Sequence, residues 1–215
     1  MSITIAWHGH ACFEIKNHVT IVVDPHDGTS IGIKPPSAKA DLVLISHKHF
    51  DHANGLMFVK KNGTVVIDKP GNYEVKGVKV VGIPTYHDEC RGAKRGLNTV
   101  YLFEYDEVRF CHLGDLGHVL SEDQARFLRP VDVLMIPVGG TFTIDAKQAN
   151  EIMNLLSPRI AIPMHYKTPG LNLPIVGVEG FIAGKTNVER SQSNTYRVSK
   201  ETLPSKLKIV VLSPL

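Results

Sequence analysis

Two runs late in the chain contain no polar residue: Val133 to Pro137 (VLMIP) and Ile160 to Met164 (IAIPM). A strand on a surface alternates polar and apolar residues, whereas a short run that is apolar throughout must be covered on both faces. Between the two lies Asp145 to Leu156. Asp145 with Gln148 three residues on has the capping-box spacing, Ile152, Leu155 and Leu156 give an apolar face, and Pro158 stops the helix. This strand–helix–strand order demands a sheet core with helices packed outside it.

The rest of the pattern fills in that α/β reading. Ile3 to Trp7, Val19 to Asp24, Leu42 to Ser46, Thr64 to Ile67 and Val78 to Pro84 are β-branched runs bounded by Gly, Pro, Asn or Asp. Asn98 to Tyr105 and Glu107 to Leu113 form a hairpin turning near Asp106, and Lys206 to Leu212 reads as a last strand. Helices are expected over Asp51 to Lys61, ending at Asn62-Gly63, over Ser121 to Leu128, with Gln124 completing a capping box, and as a short piece over Val178 to Ala183. From about Pro169 to Lys206 the pattern is otherwise silent.

At 215 residues, with 43% hydrophobic and 21% charged residues, the chain is expected to form one domain over 1–215 with a sizeable core. Disorder, collagen and disulfide scaffolds are excluded for the chain as a whole. The net charge of +3 is too small, and too scattered, for a nucleic-acid footprint, so a nucleic-acid partner is not expected. Cys12, Cys90 and Cys111 are odd in number with no CxxC pair, which reads as reduced thiols in a cytoplasmic protein. Met1 to Trp7 lacks a signal-peptide pattern, and no apolar run approaches the roughly 20 residues that span a bilayer. No heptad or interface patch is visible, which leaves a homo-oligomer open.

Of the 11 histidines, three fall within six residues after the strand LVLIS: His47-Lys48-His49-Phe50-Asp51-His52. Alternate residues of an extended segment point the same way, so His47 and His49 can meet one ion. Asp51 and His52, at the start of a helix, can turn toward a second. Imidazole with carboxylate suits zinc first, with manganese, iron or nickel as alternatives.

His-x-His-x-Asp-His resembles the signature of the metallo-β-lactamase superfold. The remaining landmarks follow in order: Asp24 in VVDP, His87 in PTYHDE, Asp115 in HLGDLGH and His165 in IPMHY. The GHA at Gly9 to Ala11, the PVGG at Pro137 to Gly140 and the PMHY at Pro163 to Tyr166 resemble the branch that holds ascorbate-6-phosphate lactonase. The phospholipase D that cleaves N-acylphosphatidylethanolamine is a more distant relative of that branch. The resemblance implies an αββα four-layer sandwich with two divalent metal ions, one held by His47, His49 and His87, the other by Asp51, His52 and His165, bridged by Asp115. Asp51 and Asp115 are then the candidate catalytic carboxylates. A glutamate at the position of His49 would mark the redox diiron relatives; its absence favours hydrolysis.

What the resemblance implies for function is metal-dependent hydrolysis of an ester-like bond, a lactone, phosphodiester or amide, in a small-molecule substrate. Two cations about 3.5–4 Å apart clamp one water and polarise the scissile group. The alternatives are a nuclease acting on RNA and a metal-binding module without turnover. Around this set, His10 is either a support or substrate contact of the metals or a structural residue at a strand end. Asp24 is a hydrogen-bonding support of the site or a plain turn residue. His118 either lines the cleft or sits in a loop, and His112 reads as packing. Arg91, Lys94 and Arg95, just after His87, either hold an anionic group such as phosphate or form an exposed loop. Gly139 and Gly140 are suited to a close backbone approach.

Overall fold

A computed structural model describes residues 2–214. In chain order its elements are β1 (Ile3–Trp7), β2 (Phe13–Lys16), β3 (Thr20–Val23), β4 (Leu42–Leu44), α1 (Phe50–Ala53), α2 (Leu56–Val59), β5 (Val65–Ile67), β6 (Gly71–Val75), β7 (Val78–Tyr86), β8 (Leu97–Tyr105), β9 (Val108–His112), α3 (Glu122–Leu128), β10 (Val133–Pro137), α4 (Ala146–Leu156), β11 (Ile160–Met164), α5 (Glu179–Ile182), β12 (Val188–Arg190), β13 (Thr195–Val198) and β14 (Lys208–Val211). They form two sheets, one of six strands in the order β13-β1-β2-β3-β4-β5, the other of eight in the order β12-β14-β11-β10-β9-β8-β7-β6.

Burial explains the layering. In β3 and β4 every residue is buried, yet the residues divide between two cores. Ile21, Val23, Leu42 and Leu44 join the main core between the sheets, while Val22 and Val43 join a smaller one with Cys12 and Val59, against which Leu56 packs. Strand geometry sends alternate side chains to opposite faces, so α2 covers the outer face of the first sheet. On the other side, Ala125 and Leu128 of α3 and Ala149, Ile152, Met153 and Leu156 of α4 are buried into the same core as β10 and β11. The expected order of helix, sheet, sheet, helix is therefore the observed one.

The fully apolar runs behave as their composition requires. β10 and β11 are buried throughout and pair in parallel, Val133 opposite Ile160. The hairpin is present, with Asp106 and Glu107 both left-handed at its turn (φ 47° and 60°). Both capping boxes form, at Ser121 with Gln124 and at Asp145 with Gln148.

The helix expected over Asp51 to Lys61 is a correction. It is split into α1 and α2 at Asn54-Gly55 and stops before Lys60, whose backbone is extended. The cause lies elsewhere in the fold. Gly55 packs against the chain at Pro25-His26, so closely that a Cβ there would sit 2.1 Å from the His26 carbonyl oxygen. Strands β2, β6, β12 and β13 are additions to the expected set.

Candidate metal centre

Every candidate ligand follows a strand. His47 to His52 follow β4, His87 follows β7, Asp115 follows β9 and His165 follows β11. His10, after β1, joins them. His10 and His165 both hold left-handed backbone (φ 51° and 52°). For a non-glycine residue that conformation persists only where the surroundings impose it. Here the His10 carbonyl accepts hydrogen bonds from the Trp7 indole and from the His165 amide, both at 3.0 Å. The two turns lock each other, and their rings lie 4.2 Å apart.

The side chains converge in three overlapping groups, with donor atoms in each within 4.8 Å of one another: His47 with His49 and His87; His10 with Asp51, His52 and His165; and His47 with His52 and Asp115. Asp115 sits between them. Its Oδ2 lies 3.1 Å from His87 Nε2, 3.3 Å from His165 Nε2 and 3.9 Å from His47 Nε2, while its Oδ1 lies 3.1 Å from His52 Nε2. One carboxylate thus touches both triads.

Ring orientations are fixed from behind. Ser46 Oγ donates to Asp24 Oδ2 (2.7 Å) and accepts from His47 Nδ1–H (2.9 Å). His52 Nδ1–H donates to the same Asp24 oxygen at 2.9 Å, and Asp24 Oδ1 accepts from the Ser46 amide at 2.7 Å. Protonation at Nδ1 turns the Nε2 lone pairs of His47 and His52 toward the centre. A carboxylate or hydroxyl in this outer position is the usual partner of a ligating imidazole. Buried Asp24, a candidate support by sequence, lies behind the two rings, bonded to His52 directly and to His47 through Ser46.

The centre nevertheless lacks well-aligned hydrogen bonds. Nε2 of His47, His52 and His165 and Oδ1 of Asp115 are buried, and none makes one, although His52 Nε2 and Asp115 Oδ1 lie 3.1 Å apart. Such groups are costly to bury unpaired. Four such converging atoms of imidazole and carboxylate type fit divalent cations, whose coordination would satisfy all of them.

Charge points the same way. Burial alone would push the Asp115 carboxyl up, but His165 and His52 beside it hold it well below the usual range. For His52 burial is outweighed by Asp115 and Asp24, which raise it well above an ordinary histidine. These carboxylates attract positive charge to that spot, as a proton or as a cation. His47, by contrast, is pushed down to about 3 by burial and by His52, so its ring is neutral and its lone pair available. His10 is likewise held down to about 3 by burial and by His165. Its Nε2 lies 3.1 Å from Asp51 Oδ2.

The other candidates take lesser places. His118 is half-buried, with Nδ1–H donating to the Val119 carbonyl and Nε2 accepting from the Tyr86 amide, and it joins none of the three groups. His112 spans Ala11 O and the Gly114 amide, a packing role. Arg91 is exposed and does not line the cleft over the cluster; Arg95 does. Ser46, Phe50, Phe142 and Leu173 carried no motif and emerge only from the fold.

Two glycines make the backbone approach possible. A Cβ on Gly117 would lie 2.3 Å from the His87 carbonyl carbon, and one on Gly139 would lie 2.1 Å from the His165 carbonyl oxygen. Each loop therefore abuts the residue that carries a candidate ligand. Gly139 had this signal in the sequence; Gly117 had none.

Comparison with known proteins agrees with this fold. The model of the beta-lactamase superfamily domain matches residues 4–165. A UPF0173 metal-dependent hydrolase of Thermococcus onnurineus is 32% identical over 191 residues, covering 77% of this chain and 85% of that protein. A crystal structure from Thermotoga maritima, assigned to the Zn-dependent hydrolases of the metallo-beta-lactamase superfamily, is 40% identical with a TM-score of 0.82, covering 99% of this chain and 100% of that one. Human tRNase Z, short form, shares the fold alone, at 11% identity and a TM-score of 0.56, over 78% of this chain and 93% of its own. The chain belongs to the beta-lactamase superfamily and, within it, to the UPF0173 metal-dependent hydrolase family.

Proposed function

We propose that the protein uses two divalent cations, zinc in the first instance, to hydrolyse an ester-like bond in a small anionic substrate. The observation that carries this is the convergence of four buried donor atoms, on His47, His52, His165 and Asp115, that make no well-aligned hydrogen bond. His47, His49 and His87 would hold one ion, Asp51, His52 and His165 the other, with Asp115 shared. Bound there, the ions would supply Lewis acidity and bring the ionisation of water into the neutral range.

The chain's own contribution is positional. Asp24 and Ser46 hold His47 and His52 in one tautomer. His10 holds one oxygen of Asp51, which fixes the carboxylate beside His52 and His165 in the group it would complete. Histidine and carboxylate ligands, and no glutamate at residue 49, favour hydrolysis over redox chemistry. The motifs around His10, Gly139 and His165 favour a lactone or phosphodiester as the bond cleaved.

Metal analysis with anomalous diffraction, followed by a panel of lactones, phosphodiesters and thioesters with and without chelator, tests the reading. Two ions per chain and chelator-sensitive turnover are expected. A metal-loaded protein inert across the panel would point instead to a binding module.

A further inference from the structure

Above the cluster the cleft has two lobes of different chemistry that share a wall. The inner lobe, about 200 Å³, has His49, Asp51, His87 and Asp115 at the candidate centre, and Phe50, Phe142 and Leu173 around it. The outer lobe, about 240 Å³, is polar, with Lys94, Thr141, Thr143 and Gln148 among its lining residues. Arg95, Phe142 and His87 line both.

Arg95 is the feature that needs explaining. Its guanidinium stacks 4.7 Å above the Phe142 ring, and its one hydrogen bond is a long one, 3.4 Å, to the Thr141 carbonyl. Among the described residues neither Arg95 nor Lys94 forms an ion pair. Stacking occupies the face of a guanidinium and leaves its forked edge of N–H donors free, the edge that matches a carboxylate or phosphate.

The loop that carries Arg95 is held rather than loose. The buried Asp88 carboxylate accepts four backbone N–H groups: Cys90 and Gly92 on Oδ1, both at 2.8 Å, and Lys94 and Arg95 on Oδ2, at 2.9 and 2.8 Å. The opposite wall is equally fixed. Phe142 and Leu173 pack on Ile31, Leu171 and Ile175, and Thr141 Oγ1 donates to the Pro174 carbonyl at 2.9 Å.

We propose that the substrate is amphiphilic: an aryl or branched apolar group sits against Phe50, Phe142 and Leu173, and a single carboxylate or phosphate is bound by Arg95 with Lys94 as the second cation. This deepens the hydrolase reading and rests on it for the reacting bond. Apolar cavities of roughly 150 Å³ hold a benzene ring, so the inner lobe has room for one. A polyhydroxylated sugar in that lobe would find few partners for its hydroxyls, which disfavours it.

Calorimetric binding of phenyl phosphate, benzoate and inorganic phosphate to the metal-loaded protein tests the proposal. Phenyl phosphate or benzoate is expected to bind at least about tenfold more tightly than inorganic phosphate. Arg95→Gln should weaken that ligand about tenfold, and Phe142→Leu should erase its advantage over inorganic phosphate. Phenyl phosphate and benzoate distinguish the two anions; dependence on Arg95 for either supports the proposal, and for neither overturns it. Equal affinity for phenyl and inorganic phosphate overturns the apolar lobe. Failure of the hydrolase reading looks different: no divalent metal retained, with Arg95-dependent aryl-anion binding intact in the metal-free protein.

Discussion

The two halves of the candidate centre are built to different standards. Of Asp51, His52 and His165, the two imidazoles are sealed and only the Asp51 carboxylate reaches the cleft. His52, His165 and the neighbouring His10 are 0% exposed, and their backbones and rings are tied to one another and to Asp24. His47, His49 and His87 form the mouth, where His49 is exposed and joins the lining of the cleft. The difference is one of preorganisation. In the sealed half the protein fixes ligand geometry whether or not an ion is there, whereas at the mouth the side chain of His49 must be ordered on binding. Ordering an exposed side chain costs conformational entropy, so the mouth should hold its ion more weakly and release it first to a chelator.

Asp115 is the point where that contrast should vanish. Asp115→Ala removes the one carboxylate that both halves touch. Hydrolysis should fall to background and metal content should drop at both positions; full metal content by mass spectrometry would refute its bridging place. His10→Ala should act on one half only. Loss of an outer partner of a ligating carboxylate typically costs about 10- to 100-fold in metal affinity. A two-phase metal titration should show that loss in the tighter phase alone, and equal weakening of both phases would mean that the pocket and the mouth are one coupled unit. The smallest effect on the fold belongs to His49→Gln. It should empty the mouth while the sealed half keeps its ion, with metal-free stability changed by no more than about 0.5 kcal/mol because the side chain is exposed. A large shift in thermal midpoint would show that His49 is structural.

Sequence pattern carried the fold where local rules act alone. The apolar runs of β10 and β11, the capping boxes of α3 and α4 and the turn at Asp106 are all decided within a few residues. It failed where a distant contact decides. The break between α1 and α2 comes from the His26 carbonyl pressing on Gly55, and β2 (FEIK) is short with two charged residues. The same divide runs through the site. The ligand-type residues stand out because histidine and aspartate at strand ends are chemically unusual. Leu173 does not, since it lies in a stretch with no periodicity, and only packing on Ile31 brings it to the cleft. Among Arg91, Lys94 and Arg95, spacing cannot tell which side chain reaches inward. The four amide bonds to Asp88 settle that.

The residues of the centre are also drawn from both sheets: His10 and the run from His47 to His52 from the six-stranded one, His87, Asp115 and His165 from the eight-stranded one. Cations seated among them would act as rivets through the seam of the sandwich. An unfolded chain has no such pocket, so ligation would draw the equilibrium toward the native state in proportion to the logarithm of free metal. Heat resistance of this protein would then track the metal supply of its surroundings, and chelation would strip away rigidity along with chemistry.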